Sequence, residues 1–230
     1  RDRGEMFGDF RNRLGLSLDQ CGGLEYLHQP GELEVMSETQ LGEGDPIVAL
    51  LELPSGKVRW THAVPTRSEA PTSLRFLPGS EYLLAGETYD RIELLDARTG
   101  EQRRLLHGPV AFSRDGELLA WTAPGNEELP ARRVEIARRS RKQKRGWEPH
   151  LSLGPAQGAI RAMAFAPFRP LLAIATDNGD IAVRNLDKPR SLHTRFGPDP
   201  VHELVFSADA RRLASVSWTS AEVLVWDVPA

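Results

Sequence analysis

One cysteine, Cys21, stands among 230 residues, so no intrachain disulfide can staple the fold and it must stand on packing alone. No histidine or basic residue flanks that thiol in sequence to lower its pKa, and it reads as an apolar filler or loop residue. Apolar runs of the ~20 residues that a membrane helix needs are missing, as is a charged-then-apolar leader ahead of the first structured repeat. The expected location is therefore the cytoplasm. The chain opens on Arg1 rather than Met, and the expectation is a processed product or a fragment. A formal charge of -3 supplies no overall attraction to nucleic acid or to acidic membranes. Sustained helical periodicity with a credible cap is absent too, which leaves strands.

Against these absences, 40% hydrophobic and 27% charged residues are those of a soluble globular chain with a core. The organisation is repetitive. A hydrophobic stretch ends in Phe76, Phe112, Phe165 or Phe206, and eight or nine residues later each is followed by the Ala of a second strand, at Ala85, Ala120, Ala173 and Ala214. A third strand then alternates with period two, as at Ile92 and Leu94 or Ile181 and Val183. A fainter first copy has Tyr26 in the Phe position and Val48 and Leu50 in its third strand. The third strands end at Glu52, Asp96, Arg138, Asn185 and Asp227, separated by 44, 42, 47 and 42 residues. An all-β unit of that length points to a propeller of four-stranded antiparallel blades, each burying a face against its neighbours.

Turn chemistry supports the repeats. Asn178-Gly179 lies between two β-type runs and predicts a two-residue type I′ hairpin, in which both central residues take positive φ. Asp115-Gly116 and Pro78-Gly79 mark the preceding hairpin in two other copies. Prolines collect between copies, at Pro65, Pro71, Pro109, Pro155, Pro198 and Pro200, where a missing donor harms no ladder. The expected blades span residues 22–64, 65–107, 108–154, 155–197 and 198–230. The last has only three strands. Within the N-terminal segment 1–21, Leu14, Leu16 and Leu18 alternate with small or polar residues, so 13–19 is the candidate strand to close that blade and remove an exposed edge.

The segment Leu213 to Asp227, LASVSWTSAEVLVWD, resembles the WD-repeat β-propeller family, and a weaker likeness extends over most of 22–230. Trp226-Asp227 is the literal dipeptide; the other four copies lack it, and no clear Gly-His pair opens a blade. The resemblance implies a non-catalytic scaffold or sensor that binds other proteins and carries no cofactor. Family members most often have seven blades, so five visible copies imply either an unusual small propeller or, as the favoured reading, part of a larger ring. It also implies a hydrogen-bonding role within the blade for His202.

Catalytic signatures are hard to find. His28, His62, His107, His150, His193 and His202 match no zinc spacing, so a structural role is the expectation for each and no metal ligand is assigned. No nucleophile elbow, phosphate loop or dinucleotide fingerprint occurs. Asp177-Asn178-Gly179-Asp180 looks like the start of a calcium loop but lacks the other ligands, and a hairpin accounts for all four residues. Glu127-Glu128 reads as a solvated loop.

The electrostatic exception is RRVEIARRSRKQKR at 132–145. Val134 and Ile136 make its first part a strand, so Ser140 to Gly146 is expected to form a basic hairpin tip. The candidate interaction residues are Arg138, Arg139, Arg141, Lys142, Lys144 and Arg145, which could grip phosphates or an acidic peptide. The alternative is a charged edge that discourages strand pairing with another molecule. No aromatic platform is interleaved, so nucleic acid is not favoured over a protein partner. A third alternative comes from LELPSGKVRW at 51–60, which looks like a blade ending of quinone-cofactor oxidoreductase propellers, although Trp60 does not recur in later copies.

Overall fold

Strands begin at Cys21–Gln29 (β1), Leu33–Gln40 (β2), Ile47–Glu52 (β3) and Lys57–Ala63 (β4), which pair antiparallel in that order. The computed structural model describes residues 21–29, 33–40, 47–52, 57–63, 73–78, 81–86, 91–124, 132–140, 146–154, 156–188, 191–196, 199–217, 219–220 and 222–228. The segment 13–19 lies outside them. The chain divides into two compact units, Arg1–Leu105 and Leu106–Ala230. The first also contains Ser73–Phe76 (β5), Tyr82–Gly86 (β6) and Arg91–Asp96 (β7), successive antiparallel neighbours. Gln102–Phe112 (β8) is one uninterrupted strand, and the expected repeat boundary between 107 and 108 falls inside it.

In the second unit, Leu118–Thr122 (β9), Val134–Arg139 (β10) and Trp147–Leu153 (β11) continue from β8 as antiparallel neighbours. Ile160–Phe165 (β12), Leu171–Thr176 (β13), Asp180–Asn185 (β14) and Ser191–Phe196 (β15) form a four-stranded sheet. Glu203–Phe206 (β16), Arg212–Val216 (β17) and Val223–Asp227 (β18) form a sheet of three. No helix occurs among the described residues, as the period-two patterning predicts.

Apolar clusters form between consecutive repeats. In the first unit Val48 and Leu50 of β3 pack with Leu83, Ala85 and Leu95, and Trp60, Leu74 and Phe76 lie against them. In the second unit β13 is buried along its whole length because both of its faces are covered. Leu172 and Ile174 pack with Ala120, Val134, Ile136 and Leu153, whereas Leu171, Ala173 and Ala175 join Leu204, Phe206 and Leu213. A strand covered on both sides loses the apolar-polar alternation of a half-buried one, hence LLAIAT. Fully burying each large apolar side chain is worth about 1.5–3 kcal/mol.

The repeat markers fall within these clusters or beside them. Phe165 packs on one cluster and Phe206 belongs to another, while Phe112 lies with its ring centroid 6.4 Å from that of Trp147. Trp226 packs on the last cluster and donates its indole N–H to Ser215 Oγ at 3.1 Å; Asp227 lies exposed opposite Arg212. His202 donates its backbone N–H to Val216 O at 2.9 Å.

The turn at Asn178-Gly179 differs from the sequence expectation. Gly179 has φ 85°, but Phe168 and Ala210 are the non-glycine residues with positive φ among those described, so Asn178 is not left-handed and the turn is not type I′. The loop is three residues long, Asp177 to Gly179, closed by Gly179 N–H to Thr176 O at 3.2 Å. Side chains select it: Asn178 Oδ1 accepts from the Thr176 hydroxyl, and Asp177 Oδ1 accepts the Ala159 N–H at 2.9 Å. Only the last loop residue then needs positive φ, and it is the glycine.

Candidate interaction surface of the second unit

Strands β10 and β11 form the predicted basic hairpin. Arg139 is opposite Trp147, and Ser140 N–H donates to Gly146 O at 2.8 Å, which closes the base of the tip. Arg141, Lys142, Lys144 and Arg145 lie outside the described residues, whereas Arg138 and Arg139 lie on β10. Arg138 is exposed and donates from Nη2 to His150 Nε2 at 3.3 Å. The His150 pKa is pushed below its ordinary value by burial and then by the Arg138 cation, partly countered by Asp187. A neutral imidazole can accept that bond; an imidazolium cannot. Within the hairpin Glu148 accepts from the Ser140 hydroxyl and Glu135 from that of Ser152, while outside it Asp115 feels the Arg138 cation and Asp187 acts on His150.

At the opposite end of the same strands, about 17 Å from Arg139 at 3.3 Å per residue, the packing between the third and fourth repeats opens into a cavity of about 620 Å³. Val134, Leu153, Ile160, Ile174 and Ala182 give it apolar walls. Arg132, Thr176, Asn178, Asp180 and Arg184 supply the polar groups. Asp180, Ala182 and Arg184 alternate along β14 and so share one face. Asp180 is 6% exposed, and its Oδ2 has no hydrogen-bond partner. The hairpin reading of 177–180 therefore explains three residues and leaves the fourth unexplained.

Two polar arrangements in the first unit also escaped the sequence. Glu93, 1% exposed, accepts from Arg91 Nη2 at 3.2 Å and lies 2.7 Å from His62 Nε2. Trp60 donates its indole N–H to Ala97 O at 3.0 Å and covers Gly100, where an added Cβ would come within 2.8 Å of the ring. That contact gives Trp60 a packing role between repeats. Among the described residues no cluster of three or more His, Cys, Asp or Glu could hold a metal ion, and no helix is long and apolar enough to cross a membrane.

Solved structures place this architecture. The chain superposes on the Myceliophteria thermophila Cps50 (Swd1) β-propeller domain with a TM-score of 0.61 at 14% identity, covering 85% of this chain and 67% of that one. The fold is a β-propeller. A chain of the Mitotic Checkpoint Complex matches with a TM-score of 0.63 at 19% identity, over 90% of this chain and 60% of that one. Kluyveromyces lactis Hsv2 matches at 0.66 and 13%, over 92% and 63%. This propeller chain thus spans about two thirds of the length of its structural neighbours or somewhat less. No protein-family model matches the sequence, and no curated protein sequence does.

Proposed function

We propose that the chain is a non-catalytic, protein-binding propeller module of the WD-repeat type, and that it receives an acidic segment of a partner protein on the β10–β11 hairpin. The observation that carries this reading is the exposed Arg138 beside a His150 held neutral, continuous in sequence with Arg139 and the basic run from Arg141 to Arg145. The propeller supports it by presenting loops from a rigid scaffold. Likeness of fold alone names no partner.

Fluorescence anisotropy with a labelled oligoglutamate peptide and a single-stranded oligonucleotide of equal charge tests the proposal. The peptide is expected to bind, to weaken as salt rises, and to lose at least about tenfold in affinity, 1.4 kcal/mol, when Arg139, Arg141, Lys142, Lys144 and Arg145 are all changed to Glu. Preferential binding of the oligonucleotide would assign the hairpin to nucleic acid instead. Undiminished peptide binding by the variant would remove the hairpin from the site.

A further inference from the structure

Asp180 is the group in the second unit whose chemistry is least satisfied. A carboxylate withdrawn from water costs free energy unless a donor or a cation meets it. Here Oδ2 has no hydrogen-bond partner, and the side chain lines the 620 Å³ cavity. Volumes of roughly 300–1,000 Å³ are those of small-ligand sites. Arg184 lines the same cavity from the same strand, yet no ion pair joins the two among the described residues. Four residues of β-strand separate their backbones by about 13 Å. Ala182 lies between them with a side chain too small to fill the gap, and Ile174 stands opposite it across the β13–β14 ladder. The cavity therefore presents an acceptor at one end, an apolar floor, and guanidinium groups from Arg184 and Arg132.

We infer that this cavity is a binding site for a bipolar ligand, an extended peptide segment whose basic group meets Asp180 and whose acidic group, beyond a short aliphatic stretch, meets Arg184. A simple cation would gain Asp180 but face two uncompensated arginines, and a simple anion would leave the carboxylate unpartnered. A ligand with both charges satisfies each end. This inference is independent of the hairpin: the cavity lies at the Val134 and Leu153 ends of β10 and β11, away from Arg139.

The test uses the intact chain and three probes of one length, 6-aminohexanoate, hexylammonium and hexanoate, followed by amide chemical shifts in NMR titrations. Binding of 6-aminohexanoate is expected to be tightest, hexylammonium weaker and hexanoate weakest, with the largest shifts at Thr176, Asp180 and Ala182. Asp180→Asn is expected to abolish binding of both amines while raising the melting temperature, because it removes an unpartnered buried charge. Arg184→Gln should erase the advantage of 6-aminohexanoate over hexylammonium. Ala182→Leu fills the floor without altering charge and should exclude all three. No saturable shift by about 10 mM probe, beyond the weakest useful affinity, would overturn the inference. So would equal binding by Asp180→Asn, or a lower melting temperature in that variant, since the carboxylate would then be a structural group.

Discussion

Ala210 occupies, after Ser207, the place that Gly116 occupies after Ser113, and it does so at φ 55° against 71° for the glycine. A Cβ in the left-handed region costs about 1–2 kcal/mol, part of which glycine would return as unfolded-chain entropy. Ala210 is also fully buried in an apolar cluster, so Ala210→Gly gives up about 0.8 kcal/mol of methyl burial as well, and the urea midpoint should stay almost unchanged at unchanged slope. Asp209, one residue earlier, has a pKa held below the ordinary carboxylate value by the Ser207 hydroxyl and then by the Arg211 N–H. A carboxylate with a depressed folded pKa contributes its stability in full above the unfolded value, and loses it as pH falls through the lower, folded one. Asp209→Asn should thus flatten the acid side of the stability profile measured by denaturation at stepped pH. Turns of this kind are legible because all their partners lie within five residues. Glu93 and His62 are 31 positions apart, so no local pattern could announce their contact. Asp180 is illegible for another reason: the turn chemistry of its neighbours is local, whereas the cavity it lines is built from residues as distant as Arg132 and Leu153.

Between β13 and β14 the letters Asn-Gly suggested the turn of two residues that they most often build, yet the hydroxyl of Thr176 and the carboxylate of Asp177 drew the loop to three. One local bond, Thr176 to Asn178, and one long-range bond, Asp177 to Ala159, outweighed dipeptide preference, a competition that the dipeptide alone does not show. For β10 and β11 the strand and the hairpin were legible from alternation, whereas the Arg138–His150 bond depended on the register of the pair. That bond carries a prediction. As pH falls through the lowered His150 pKa, the imidazole gains a proton, ceases to accept from Arg138, and adds a positive charge to the hairpin. Affinity for the oligoglutamate probe should rise over that range, and His150→Gln should abolish the rise.

Repeats that bury their faces against neighbours make stability a sum of local terms. Leu172 faces the third repeat and Leu213 belongs to the last two, so each reports on a different cluster. Leu172→Ala and Leu213→Ala should each cost about 2–5 kcal/mol, and their double variant should be close to additive if the clusters are independent. Far-UV circular dichroism should be β-dominated, and a helix-rich spectrum would contradict both the strand assignment and the repeat. The propeller was the most legible property of all, because a period near 43 residues is written five times and errors in one copy are corrected by the others. The turn after Phe112 and the turn after Phe206 carry the same set of bonds: the serine hydroxyl donates to the aspartate and to a carbonyl at the start of the next strand and accepts that residue's N–H, while the aspartate accepts the N–H two residues on. Two passages of chain that share a wiring diagram but, of the four letters after the serine, only the aspartate are interchangeable parts: Arg114 to Glu117 could be spliced in place of Ala208 to Arg211, and the blade would accept the transplant as its own.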